Sequence, residues 1–297
     1  MKKLIAIMGT NASGKSALGL AIAPLFNGEI VSADSRQVYT GLDLGSGKVT
    51  AEEQKICKHH LLDVVEPNEP FSVYQFQKLA YEAIDDILAR KKTPFLVGGT
   101  GLYVRAVTDG YQFEEGQTDP ALFEELNKLS FEELKTQIES FGKEHGLDFA
   151  NVPKRRLVSV LAKLKQGKKV VVENKPKYEV LKLGLSWSKE VLTERIRKRL
   201  TKREAEGMVQ EVKNLMANGA TPEFLIGLGL EYRHIYYYIS GKYKTYEEYN
   251  ENLFKEICAF AKRQKTWFRK EKDIIWLDEN GDYVAQAKHL VEEFLNK

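Results

Sequence analysis

The octapeptide GTNASGKS, Gly9 to Ser16, follows directly on the apolar run Leu4–Met8, and this junction constrains the fold more than any other feature of the chain. It fits the pattern G-x-x-x-x-G-K-[ST], with a strand entering and a helix, Lys15 to about Pro24, leaving. Backbone N–H groups that wrap a phosphate need the permissive geometry of glycine, and the following helix adds the positive end of its dipole. Lys15 brings a mobile charge, and the Ser16 hydroxyl can ligate a magnesium ion bridging two phosphates. The bland alternative is a glycine-rich turn with no ligand, but the flanking strand and helix favour a phosphate loop. A diphosphate or triphosphate is therefore expected on Gly9, Thr10, Asn11, Ala12, Ser13, Gly14, Lys15 and Ser16.

The pattern then repeats. Glu29–Ser32 reads as a second strand ending in the polar run SADSRQ. Ser72 can cap a helix to about Arg90 with Val73, Phe76, Ala80, Ala83 and Ile87 on its inner face. Pro94–Val97 is a third strand, broken by Gly98–Gly99. Strand, loop and helix in this order predict a parallel sheet with crossover helices. After Phe113 the pattern changes, and residues 114–170 read as short polar helices, a candidate inserted lobe. Tyr178–Leu185 returns to strand. Ser188 can cap one long helix stopping at Asn218–Gly219. Thr245 and Glu248 have capping-box spacing and open a helix with Tyr246, Tyr249, Leu253, Ile257, Phe260 and Phe268 along one stripe. Ile274–Leu277 is a late strand.

Two turns offer candidate chemistry beyond the phosphate loop. An ATPase or GTPase would show an acidic residue ending a hydrophobic strand, whereas Pro94–Val97 ends in GGTG, so the bound phosphates need not be a nucleotide's. Asp34 sits just past the second strand, at the sheet end where parallel α/β folds place their chemistry. It can take a proton from a nucleophile approaching the loop-bound ester or cap the next turn, and position alone leaves both open. Gln37 offers an amide to a base edge, or is merely solvated. Thr100 can donate to a phosphate or base, or act as an N-cap.

Charge points to a large anionic partner. The chain has 297 residues and a net charge of +3, but residues 151–203 hold 17 Lys/Arg against 4 Asp/Glu, a local +13 that leaves −10 elsewhere. Such a basic centre suits nucleic acid, although charge runs are often only solvated helix faces. The two cysteines, Cys57 and Cys258, are far apart in sequence. A disulfide framework is improbable, which favours a reducing, cytoplasmic setting. No apolar stretch approaches a membrane span, so no membrane partner is expected, and the run Leu4–Met8 is too short for a signal peptide.

The motifs GTNASGKS, SADSRQVY and GGTGLYVRA, in that order and spacing, closely resemble the bacterial-type tRNA dimethylallyltransferases. PKRRLVSVLAKLKQGK resembles that family's basic helix on an inserted lobe, RIRKRL with GMVQEVKNLMANG its long core helix, and AKRQKTWFRKE its C-terminal signature. The resemblance spans nearly the whole chain, and the lack of a C-terminal zinc finger is similar to the bacterial members. It implies an α/β fold: a P-loop NTPase-like parallel sheet core, residues 1–113 and 174–297, with a small helical domain, 114–173, inserted for tRNA binding. It implies transfer of a dimethylallyl group from dimethylallyl diphosphate to N6 of the adenosine just 3′ of the tRNA anticodon, by a monomer using Mg2+. Asp34 would accept the N6 proton. Lys15, Ser16 and an arginine, Arg199 by motif position with Arg195 in reserve, would stabilise the leaving diphosphate. Asp34, Ser35, Arg36, Gln37 and Thr100 match RNA-facing positions, and Lys154, Arg155 and Arg156 would grip the anticodon stem, helped by Lys262, Arg263 and Arg269. Trp267 and Phe268 fit the apolar stripe and read as core.

The chain also departs from the family pattern. Thr10 and Asn11 replace a usual Pro-Thr, and Ser16 a usual Thr that keeps its hydroxyl. Glu231, in LGLEYRHI, stands where glycine is expected, and a carboxylate near RNA would alter tRNA affinity or choice. The rivals are a small-molecule P-loop kinase, an adenylate isopentenyltransferase and an RNA-binding GTPase-like regulator. The kinase would consume ATP, the second would need no basic block, and the third would need guanine-reading motifs.

Overall fold

The computed structural model describes residues 1–113, 120–142, 149, 152–168, 170 and 174–297. By its contacts the chain divides into two compact units, Met1–Thr108 with Lys177–Lys297, and Asp109–Pro176.

The larger unit is built on a six-stranded parallel sheet. Its strands are β1 (Lys2–Gly9), β2 (Gly28–Ser32), β3 (His59–His60), β4 (Thr93–Gly98), β5 (Tyr178–Leu185) and β6 (Ile275–Trp276), in the spatial order β3-β2-β4-β1-β5-β6. The central strands are continuous apolar runs because helices cover both faces. One face carries α1 (Lys15–Ile22) and α13 (Tyr283–Asn296), packed through Leu18, Ile22, Val291 and Phe294. The other carries α3 (Val73–Ala89) and α4 (Gly101–Thr108) around Phe76, Ile84 and Val104. Ser72 and Gln75 form a capping box at the start of α3. Phe76, Ala80 and Ile87 are buried as their spacing predicts, while Val73 and Ala83 are half-buried and Ile84 takes their place in the core.

This strand order positions the site. The C-terminal ends of three adjacent strands, β2, β4 and β1, deliver Asp34, the GGTG turn and the phosphate loop side by side. The next strand, β5, runs through Trp187 and Ser188 into α8 (Lys189–Ala205).

The long helix expected from Ser188 to Asn218 is in fact two. Gly207 adopts φ 100°, a conformation that an L side chain resists, so α8 ends and α9 (Met208–Ala217) starts in a new direction. α10 (Pro222–Leu228), α11 (Leu230–Ile239) and α12 (Tyr246–Phe268) pack on this pair around Met208, Tyr232, Tyr249 and Leu253. Thr245 caps α12 as its spacing predicts, but the Glu248 carboxylate turns back to the Lys244 N–H. Tyr246 is exposed and Phe260 only half-buried, so the stripe they were assigned to is narrower than expected, and Gln264 joins its buried face. A short α2 (Ala51–Ile56) precedes β3.

The smaller unit consists, among the described residues, of α5 (Pro120–Lys128), α6 (Phe131–Glu139) and α7 (Lys154–Lys165) around Leu126, Leu134, Ile138, Leu157 and Leu161. Lys154, Arg155 and Arg156 occupy the first turn of α7, and all three are exposed. Cations are unfavourable beside the positive end of a helix dipole. Lys154 Nζ donates to Asn127 O at 2.8 Å.

Candidate anion-binding site and neighbouring carboxylate

The phosphate loop is held by its surroundings before any ligand is considered. Ala12 and Gly14 adopt positive φ, and Ser13 N–H closes a tight turn on the Thr10 carbonyl. A side chain at Gly9 would meet Ser13 Oγ at 2.6 Å and the Leu185 carbonyl at 2.7 Å. Outward-facing carbonyls of the loop are tied down: Arg195 Nε donates to Ala12 O at 2.9 Å and Trp187 Nε1 to Ser13 O at 2.7 Å. The Arg195 guanidinium also lies 4.6 Å from the Trp187 ring centroid. With the carbonyls bonded outward, the loop can turn N–H groups inward. Thr10 Oγ1 and Ser13 Oγ are buried and, among the described residues, find no hydrogen-bond partner.

A cleft of about 430 Å³ opens on the loop, floored by Ala12, Gly14, Lys15 and Ser16 and walled by Arg195, Lys198, Arg199, Lys202 and Arg203, with Gly47 at its rim. Of the eight predicted loop residues, Gly9, Thr10 and Ser13 lie buried beneath this floor, and Asn11 gives its N–H to the Oε1 of Gln264 at 2.7 Å. The wall residues recur at three- and four-residue spacing on α8, one face of a helix. Lys198, Lys202 and Arg203 were not singled out from sequence, although that periodicity in RIRKRLTKR was the available signal. Gly47 adopts φ 67°, where an L side chain is strained, and a Cβ there would also force the Arg203 guanidinium to move.

Electrostatics mark the cleft as short of negative charge. Burial pushes the Lys15 ammonium down to about 8, with Asp34 opposing and Arg199 and Arg203 reinforcing the shift. Burial and the neighbouring Arg203 push Arg199 the same way, to about 9. An arginine in a protein keeps its proton. The depression reflects chiefly the loss of water around the guanidinium, and a bound anion would oppose it. Arg195 is occupied in bracing the loop, whereas Arg199 has no ion-pair partner among the described residues. The choice of Arg199 over Arg195 as ligand-facing arginine agrees with this difference.

Asp34 stands beside the cleft, half-buried, and Lys15 feels its charge. One of its oxygens accepts from Arg36 N–H at 3.0 Å, so it does cap the following turn, and the other remains for chemistry. The GGTG turn is pressed against the same segment: a side chain at Gly98 would lie 2.1 Å from the Ala33 carbonyl. Thr100 Oγ1 accepts from Ser35 N–H at 3.1 Å. Ser35 and Thr100 line a second cavity of about 290 Å³ with Gly99, Phe260, Arg263 and Trp267.

Four expectations change. Gln37 is buried: Ser32 Oγ donates to its Oε1 at 2.9 Å and its Nε2 donates to Gly47 O at 3.1 Å, so its amide positions the cleft rim instead of reading a base. Arg36 does not face outward either: it donates to Glu231 Oε2 and to Leu228 O, each at 2.9 Å. Glu231 is consequently no free carboxylate. It is 2% exposed, paired with Arg36 and 3.8 Å from Arg203, so its charge is neutralised internally. Trp267 is half-buried and lines a cavity, while Phe268 is core as predicted.

Sequence reasoning also missed Gln264. Its Oε1 accepts from Asn11 N–H and its Nε2 donates to Gly99 O at 2.9 Å, joining the phosphate loop to the GGTG turn. Gly99 in turn borders Lys15 Nζ, which would lie 3.2 Å from a Cβ at that position.

A parallel sheet whose strand β1 runs into a phosphate-loop motif, with a cation-walled cleft and a carboxylate past the end of β2, defines an α/β protein with a P-loop-like core. A family model described as IPP transferase matches residues 37–271. A tRNA dimethylallyltransferase 2 of Shewanella sediminis is 43% identical over 290 residues, covering 96% of each chain. Among solved structures, a tRNA isopentenylpyrophosphate transferase of Bacillus halodurans superposes with a TM-score of 0.75 at 32% identity, covering 100% of this chain and 97% of that one. A eukaryotic dimethylallyltransferase acting on tRNA shares the fold at a TM-score of 0.83 and 24% identity, covering 100% and 80%. The chain belongs to the IPP transferase family and is a tRNA-prenylating transferase.

Proposed function

We propose that the chain transfers a dimethylallyl group from dimethylallyl diphosphate to N6 of the adenosine immediately 3′ of the tRNA anticodon, releasing diphosphate. The observation that carries this reading is Asp34 standing against a cation-walled cleft in which buried Arg199 has no ion-pair partner among the described residues. The diphosphate would occupy the cleft, with loop N–H groups, Lys15 and Arg199 meeting the charge that grows as the C1–O bond breaks. The N6 lone pair forms the new bond to C1, the C1–O electron pair leaves with the diphosphate, and Asp34 takes the N6 proton. A flipped-out purine would reach Asp34 past Ser35 and Thr100, since a stacked base could not.

Magnesium fits the donor set in one way only. The described residues contain no cluster of three His, Cys, Asp or Glu side chains able to cage a cation. Ser16 Oγ would be the protein's ligand, with substrate phosphate oxygens and water completing the shell, as Mg2+ commonly prefers. The ion would supply charge neutralisation on the leaving group.

The exposed cations Lys154, Arg155 and Arg156 would hold the anticodon stem by its phosphates, positioning without reading sequence. The work would be cytoplasmic, and no helix among the described residues is long and apolar enough to cross a membrane. The decisive experiment incubates the protein with dimethylallyl diphosphate, Mg2+ and unmodified tRNA, then digests the RNA for nucleoside mass spectrometry. A dimethylallyl mass gain on adenosine is expected. No gain, with ATP consumed against small acceptors instead, would establish the kinase alternative.

A further inference from the structure

The rim of the phosphate cleft belongs to a short irregular coil, residues 42–48, LDLGSGK. The coil closes on itself. Gly47 N–H donates to Leu44 O at 3.2 Å, Lys48 N–H to Asp43 O at 2.9 Å, and Ser46 Oγ to Leu42 O at 2.5 Å. Two of its residues reach the cleft. Gly47 stands at the rim, and the wall residue Arg203 makes a long contact through Nη1 with Gly45 O, at 3.5 Å. Where the coil sits therefore decides where Arg203 can sit.

The coil is held by a carboxylate on α9. Glu211 Oε2 accepts from the N–H groups of Asp43 at 3.1 Å and Leu44 at 2.5 Å, and Oε1 accepts from that of Gly45 at 3.1 Å. Successive N–H groups converging on one anion make the concave backbone nest that elsewhere takes a phosphate or carboxylate ligand. Here the chain supplies the anion itself. Tyr232, fully buried on α11, completes the set by donating its hydroxyl to Oε1 at 3.1 Å. Its ring lies against Gly45, where a Cβ would come within 2.7 Å. All four partners are donors, which suits an ionised carboxylate, an acceptor only. Burial pushes the Glu211 carboxyl up, and these donors pull it back.

We infer that Glu211 is a positioning residue for the leaving-group cleft: by filling the nest of residues 43–45 it fixes the coil that backs Arg203, and so sets how tightly the diphosphate of the prenyl substrate is held. This rests on the proposed function, which puts that diphosphate in the cleft. The carboxylate beside Arg203 is Glu231, 3.8 Å away and already shared with Arg36. Gly45 O is the contact through which Glu211 acts.

The test compares full-length wild type with Glu211→Gln, Gly45→Ala, Arg203→Gln and the double variant Glu211→Gln/Arg203→Gln. Glu211→Gln keeps the shape but turns an amide donor onto the nest. Gly45→Ala moves the coil off Tyr232 with no change in charge, so it carries the test if Glu211→Gln fails to fold. Ile87→Val, which trims a buried side chain on α3, controls for general destabilisation. Binding of inorganic pyrophosphate with Mg2+ is measured by calorimetry, and prenyl transfer by steady-state kinetics. Glu211→Gln should weaken pyrophosphate about tenfold and raise the KM for dimethylallyl diphosphate to match, with the KM for RNA unchanged. Gly45→Ala should give the same split. In the Arg203→Gln background the further loss from Glu211→Gln should shrink to about twofold or less, because the two act through one contact. Unchanged pyrophosphate affinity in Glu211→Gln, losses that multiply in the double variant, or equal rises in both KM values overturn the inference. The same split in Ile87→Val overturns it too. Wild type that binds no pyrophosphate and transfers no prenyl group would sink the proposed function, and this inference with it.

Discussion

β2 carries a charge cluster at each end, and the two are built on opposite terms. At its start Glu29, 2% exposed, receives Arg90 at 2.6 and 2.7 Å, Lys92 at 2.7 Å and His60 at 2.7 Å. Past its other end Asp34 faces a cleft where Lys15, Arg199 and Arg203 crowd together with too little negative charge. The first cluster is saturated: its hydrogen bonds from Arg90, above all, pull the Glu29 carboxyl far below its ordinary range despite burial. In the second, burial pushes the Lys15 ammonium down to about 8. A closed set of partners secures the sheet edge, whereas an incomplete one is completed by a ligand.

The contrast predicts that mutation will damage different properties at the two ends. Asp34→Asn should cost about 10²- to 10⁴-fold in kcat while tRNA binding persists. Steady-state kinetics with intact turnover would remove Asp34 from the chemistry. Arg199→Gln should lower kcat/KM for dimethylallyl diphosphate by about a hundredfold or more, with little change in melting temperature. Glu29→Gln should do the reverse, destabilising by about 3 kcal/mol in denaturant titration because its cations lose their buried partner. A kinetic defect at Glu29 measured well below the melting temperature would break the comparison.

The smallest effects are in pH. The folded Lys15 value of about 8 lies below the ordinary 10.5, so between those limits the unfolded chain holds a proton that the folded chain has released. Folding therefore gains stability from this group as pH rises through that window, while the empty cleft loses a charge. The KM for the prenyl diphosphate should climb above about pH 8 with no matching fall in melting temperature. Glu29 has the same sign in a more acid window. Its folded value lies far below 4.5, so its stabilisation is complete above 4.5 and declines as pH falls further. Acid titration of Glu29→Gln should lack that part of the decline.

What the sequence disclosed follows the range of the contacts involved. The phosphate loop, Asp34 and Thr100 were legible because each follows a strand at a spacing that fixes its geometry locally. The sheet was legible for the same reason, through its apolar runs and glycine breaks. Gln264 was not, since its two partners lie 253 and 165 residues away and a glutamine in a helical stripe carries no signal of them. Glu231 was misjudged for the same cause: only the folded chain brings Arg36, 195 residues distant, to neutralise it. Gly207 was visible but outweighed by apolar periodicity continuing on both sides, and its positive φ decides the break. For Arg195, the hydrogen bond to Ala12 O and the packing on Trp187 appear only in the folded chain.

The two hydrogen bonds of Gln264 also bear on the order in which the loop becomes rigid. Its amide reaches across 253 residues to Asn11 and 165 to Gly99, so the brace between the two glycine turns exists only once α12 has packed. A chain in which α12 is unpacked would keep the signature residues and lose that brace.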